Sequence, residues 1–145
     1  MSGFTLIELL VVLLIISIAY AVAVPGVKAV LTGVEVNAAI RELVTDIRYA
    51  QQMAIGEGRV YRIIFNKHMN LYRVSYTSYP IQVTVKQVVY PEGLTLLGTS
   101  FNNDMLSFNV MGAPSAAGTI TLKDNRGKEI RVTVLPATGR VRVYR

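Results

Sequence analysis

The chain has no cysteine and no tryptophan, and His68 is the single histidine among its 145 residues. Without cysteine there is no disulfide framework, no thiol nucleophile and no thiolate metal ligand. One histidine excludes a histidine-based metal cluster. The chain also lacks a Gly-rich phosphate loop, a Ser/His/Asp set with its usual local motifs, and paired carboxylates in a shared motif. Gly56-Glu57-Gly58 reads as a helix exit and His68 as a surface residue in a turn. An enzyme is therefore not expected, and no cofactor is implied. Acid is scarce as well: nine Asp and Glu stand against fifteen Lys and Arg, for a net charge of +6. The imbalance is sharpest at the end, where Arg126, Lys128, Arg131, Arg140, Arg142 and Arg145 face Glu129 alone. Such an end suits a polyanionic partner, nucleic acid or anionic lipid; the plainer reading is a solvated basic strand.

What is present begins with an apolar run over residues 4–24, interrupted by Glu8. A helix of this length can span a bilayer. A secretory signal peptide fits less well, because its apolar region is shorter and follows basic residues. An ionised carboxylate inside the run costs roughly 2.5–3.5 kcal/mol near the bilayer centre, so Glu8 asks for a cation. Near the start of a helix the macrodipole already favours a negative charge. If Phe4 became a free amino terminus, its ammonium would supply the cation, and in a bundle of similar helices the amine of one could neutralise the carboxylate of the next.

Pro25-Gly26 close the purely apolar stretch, and proline there predicts a kink. Beyond it Val36, Ile40, Leu43, Ile47, Ala50 and Ala54 recur at spacings of four and three, the stripe of a helix buried on one face. Glu35, Arg41, Glu42, Asp46 and Arg48 fall on its other faces, and Gly56 and Gly58 supply a stop. From there the period is two. Strands are predicted near residues 59–65, 71–76, 81–90, 94–97, 105–110, 118–123, 129–135 and 140–144, separated by Gly, Pro, Asn and Asp. The Asp124 to Lys128 turn is the best hairpin signal. The tyrosines scattered through these strands read as packing residues. The fold class is α+β: a long amino-terminal helix, apolar in its first half and amphipathic in its second, packed on a small, mainly antiparallel β-sheet domain. Arg140 and Arg142 share one face of the last strand with Tyr144 beside them, while Val141 and Val143 take the other. Basic residues on an edge strand also discourage sheet-to-sheet aggregation, which is the alternative account of them.

Gly3-Phe4-Thr5-Leu6-Ile7-Glu8-Leu9-Leu10, the apolar run and Pro25 together resemble the amino-terminal signal of type IV pilins and type II secretion pseudopilins. The later chain is similar to the FimT/GspH-like minor pilins. The residues that carry this are Asp46-Ile47-Arg48-Tyr49-Ala50-Gln51-Gln52-Met53-Ala54-Ile55, Gly118-Thr119-Ile120-Thr121-Leu122 and Thr138-Gly139-Arg140-Val141-Arg142. The resemblance implies a pilin fold divided into a prepilin leader at residues 1–3, a transmembrane and assembly helix at 4–25, an amphipathic helix at 26–58 and a β-rich domain at 59–145. It implies cleavage after Gly3 and methylation of Phe4 by prepilin peptidase, assembly through Glu8, and a helix kink at Pro25. Gly139, Arg140 and Arg142 resemble the GRxR motif through which FimT-type pilins bind DNA, and Arg145 extends that basic end. The leader Met1-Ser2-Gly3 departs from the family in having no Lys or Arg before the glycine. The implied partners are other pilins or pseudopilins, the peptidase, the inner membrane before assembly, and double-stranded DNA. The implied location is the inner membrane as a single-pass prepilin, then a filament in the periplasm or outside the cell. The other function open to such a chain is a tip-region pseudopilin of a type II secretion system with no DNA role.

Overall fold

The computed structural model describes residues 5–145 apart from 79 and 137, and for residues 22–29 the backbone alone. Helix α1 spans Leu6–Glu57. Thr5 starts it: the Thr5 hydroxyl accepts the Glu8 N–H at 3.4 Å, and its carbonyl accepts the Leu9 N–H at 3.2 Å. Thr5 and Glu8 thus occupy the first and fourth positions of a capping-box sequence, which satisfies one of the donors that every helix start leaves open. Contacts divide the chain into two compact units, residues 1–34 and 35–145. In the first, the described side chains from Leu6 through Tyr20 are exposed along the whole helix circumference. Among the described residues no helix is long and apolar enough to cross a membrane.

In the second unit the predicted stripe is the buried face of α1: Val36, Ile40, Leu43, Ile47, Ala50 and Ala54 all lie in the core. The helix stops where Gly58 takes φ 62°, a left-handed conformation that glycine adopts without Cβ strain. Among the described residues eight strands follow: β1 Tyr61–Asn66, β2 Leu71–Ser78, β3 Ile81–Val89, β4 Leu94–Thr99, β5 Met105–Phe108, β6 Gly118–Asp124, β7 Glu129–Val134 and β8 Val141–Tyr144. They form two antiparallel four-stranded sheets, ordered β3-β2-β1-β5 and β4-β6-β7-β8. The alternation read from the sequence is the burial pattern of β1, β6 and β7: Tyr61, Ile63 and Phe65, then Ile120 and Leu122, then Val132 and Val134 point into one shared core. The β6–β7 hairpin closes on Asp124, whose Oδ1 accepts the N–H groups of Arg126 and Lys128, with Gly127 at φ 84°.

One helix residue departs from the expectation. Asp46 does not lie on a solvent face; it is buried at 6% exposure. The Tyr72 hydroxyl donates to its Oδ2 at 2.6 Å, and Lys86 Nζ donates to its Oδ1 at 2.9 Å while bridging to Glu42 at 2.8 Å. A buried carboxylate is tolerable when paired and hydrogen-bonded in this way. The cluster ties α1 to β2 and β3. Burial first, then the hydrogen bond to Asp46, pushes the Tyr72 hydroxyl well above its usual range; burial and the Asp46 charge do the same to Tyr90. Burial and a 2.9 Å hydrogen bond to Glu57 raise Tyr61 to about 12. Burial works against the Lys86 charge, yet its bonds to Glu42 and Asp46 outweigh that and raise its pKa above 10.5.

All four shifts have the same sign. A group with a raised folded-state pKa stabilises the fold fully below its unfolded value and loses that contribution as pH climbs to the folded value. Stability is therefore expected to hold up to the ordinary tyrosine value of 10.0 and to fall above it. Chemical denaturation at pH 8 and at successive steps above pH 10 measures this. Tyr72→Phe is expected to be less stable at pH 8 but to show a shallower alkaline decline.

Candidate nucleic-acid interface

Strand pairing decides what lies beside the basic end. In β8, Val141 pairs with Val134 and Val143 with Val132, so both valines share the inward face of β7. Arg142 pairs with Thr133 and Tyr144 with Arg131, which places these four on the outer face. The row continues onto β6, where Thr121 pairs with Arg131 and Thr119 with Thr133; the Thr119 and Thr133 hydroxyls lie 3.0 Å apart. Lys123, opposite Glu129, ends the same face. Arg131 and Arg142 are diagonal neighbours, at roughly 7–8 Å. Both are exposed, and among the described residues neither has a carboxylate within salt-bridge distance. The face offers guanidinium forks, threonine hydroxyls and the Tyr144 hydroxyl, a set of donors suited to phosphate oxygens. Among the described residues there is no group of side chains able to hold a metal ion.

The four expected residues fall into three settings. Arg142 lies on this outer face. Arg140 is exposed just before β8, where its carbonyl accepts the Leu135 N–H at 2.9 Å and closes the β7–β8 turn. Gly139 is buried in that turn at φ 64°. Gln51 on α1 explains why: its Nε2 donates to the Thr138 carbonyl at 3.1 Å and to the Gly112 carbonyl at 2.8 Å. A Cβ on Gly139 would stand 2.5 Å from that nitrogen. Arg145 turns to the inward side, where its Nη2 donates to Asn37 Oδ1 on α1 at 2.6 Å. The structure thus joins Arg142 to Arg131 and separates it from Arg145.

Two contributors were not singled out as site residues from the sequence. Arg131 counted only toward the basic end, because its neighbourhood to Arg142 depends on the β7–β8 register. Gln51 carries no chemical signal until the two turns it holds are placed. At the other end, Glu8 is exposed at the third residue of α1, with no cation within salt-bridge distance among the described residues. Gly3, Phe4 and the side chain of Pro25 lie outside the described residues.

The family model described as "Type II transport protein GspH" matches residues 39–138, and that described as "Prokaryotic N-terminal methylation motif" matches residues 1–24. The chain is 32% identical over 146 residues to "Competence protein ComGD" of Bacillus subtilis (strain 168), covering 99% of this chain and 94% of that protein. Its fold is similar to the minor pseudopilin EpsH from the Type 2 Secretion System of Vibrio cholerae, with TM-score 0.63 and 15% identity over 76% of this chain and 96% of that one. It is also similar to the type IV minor pilin FimU of Pseudomonas aeruginosa (strain PAO1), with TM-score 0.62 and 18% identity over 77% of this chain and 89% of that one.

The seat of the β7–β8 turn is open to test. Gly139→Ala is expected to cost roughly 1–2 kcal/mol for the left-handed conformation alone, with the Gln51 clash in addition. Thermal unfolding measures the loss. Adding Gln51→Ala to Gly139→Ala should remove the clash, so the double variant should lose less than the sum of the two single losses.

Proposed function

Because the chain belongs to the GspH family of pilins and pseudopilins and carries the amino-terminal methylation motif, we propose that this minor pilin or pseudopilin joins a filament that takes up DNA. The observation that carries the DNA role is the outer face of β6, β7 and β8, where Arg131, Arg142 and Tyr144 stand with Thr119, Thr121 and Thr133, and Lys123 ends the row opposite Glu129. The full-length similarity to a competence protein supports the same reading. Arg140 flanks the face from the turn, Gly139 shapes that turn, and Arg145 makes the smaller contribution from the other side of the strand. Binding of this kind neutralises phosphates without reading sequence and weakens steeply with salt. Few contacts per subunit give weak binding, which several sites along one filament or one DNA strengthen.

The amino-terminal residues serve assembly. Prepilin peptidase cuts after Gly3 and methylates Phe4. The chain waits in the inner membrane through residues 4–25, and Glu8 then pairs with the amine of a neighbouring subunit in a filament in the periplasm or outside the cell. Pro25 marks the kink in the long helix. A second reading, a tip-region pseudopilin of a secretion filament without a DNA role, draws support from the fold shared with EpsH. Neighbouring genes, for competence or for secretion, separate the two.

In a host with the peptidase, mass spectrometry should find residues 1–3 removed and a methyl on Phe4; an intact leader would overturn the processing step. Glu8→Val should leave membrane insertion intact and abolish recovery of the chain in sheared filaments.

For DNA, the full chain in detergent micelles should bind duplex DNA at low salt. Each of Arg131→Ala and Arg142→Ala should weaken binding and lower the salt slope by about one. Arg145→Ala should do markedly less. Unchanged binding in the Arg131→Ala/Arg142→Ala variant would place the nucleic acid elsewhere.

A further inference from the structure

The inward side of β8 forms a second basic surface, distinct from the face assigned to DNA. Between α1 and β8 runs a groove of about 490 Å³. Ile40, Val44 and Val143 give it an apolar floor, and Arg41, Arg48 and Arg145 give it a basic rim. No carboxylate is among its lining residues. The absence follows from how α1 distributes its charge. Glu42 and Asp46 are held by Lys86 on β3, so these two helix acids are committed to the first sheet. Arg41 and Arg48 are exposed on the stripe beside the second sheet, and among the described residues neither makes a salt bridge. Val143, 40% exposed, is the apolar residue left partly uncovered at this edge of the second sheet.

The spacing says what fits. Arg41, Val44 and Arg48 lie on one helical stripe, with the two arginines about 10.5 Å apart along the axis. A second helix laid alongside meets them with two carboxylates seven residues apart and an apolar side chain between, the arrangement of flanking ion pairs around a packed seam. Arg145, fixed by Asn37 one turn before Arg41, extends the rim to a third cation. We propose that this groove docks an acidic amphipathic helix of a neighbouring subunit, apolar residues on the floor and carboxylates on the arginines. The opposite faces of β8 then hold different partners, a polyanion outside and a protein helix inside. The proposal stands whether or not the filament takes up DNA.

The test uses the full chain in detergent micelles and a fluorescein-labelled, alanine-rich helical peptide of about 18 residues, long enough to hold a helix in water. It carries Glu at two positions seven apart with Leu three after the first. Anisotropy should show binding to the wild type and to Arg142→Ala. Arg41→Ala/Arg48→Ala should weaken it about fivefold or more, and a Lys-for-Glu peptide should not bind. Both arginines are exposed, so circular dichroism should show the variant folded. Failure of the acidic peptide to bind, equal binding of the Lys peptide, or an unaffected double variant overturns the proposal. So does a loss of duplex-DNA affinity in the double variant with peptide binding intact, which would assign the groove to nucleic acid.

Discussion

The inner faces of two four-stranded sheets must be covered, and a single helical stripe covers them. Among the described residues the sheets share no hydrogen-bonded strand pair, since β3-β2-β1-β5 and β4-β6-β7-β8 are separate ladders. They are joined by the core that Leu43, Ile47, Ala50 and Ala54 build with Ile63, Leu106, Ile120 and Val132, all fully buried, and by Asn70 before β2, which donates to the Leu94 carbonyl and accepts the Leu96 N–H of β4. Apolar burial supplies the attraction and has no direction; direction comes from polar contacts on either side of the stripe. Asp46 fixes the helix to β2 and β3 through Tyr72 and Lys86, and Gln51 fixes it to the turns before β6 and β8.

The periodic parts of this plan were legible in the sequence. The 3.6-residue stripe marked the buried face of α1, and alternation with Gly, Asn and Pro punctuation marked all eight strands. What escaped depended on partners remote in the chain. Asp46 looked like any solvated helix carboxylate, because Tyr72 and Lys86 lie 26 and 40 residues away. Arg131 looked like one more basic residue, because only the register with β8 brings it beside Arg142. Gly139 was legible as part of a motif while its physical reason, a left-handed turn pressed against Gln51, was not.

Residues 142–145, in β8 and just after it, show how two surfaces are made from four residues. Alternation sends Arg142 and Tyr144 outward and Val143 and Arg145 inward. The outer set continues across β7 and β6 as a flat polar face, and the inner set borders α1. A basic terminus that looks uniform in sequence is therefore two chemically different surfaces. The edge position of β8 leaves both open, and the charges there also discourage unwanted strand pairing.

The Gln51 amide nitrogen has two hydrogens, and each is spent on a carbonyl of a different turn. Deamidation would change one atom group and leave the side chain the same length. It would also set a carboxylate against two carbonyl oxygens and release both turns at once. Chemical ageing at this one side chain would thus loosen the β5–β6 loop and the seat of the basic strand together, while the apolar core beneath remained intact.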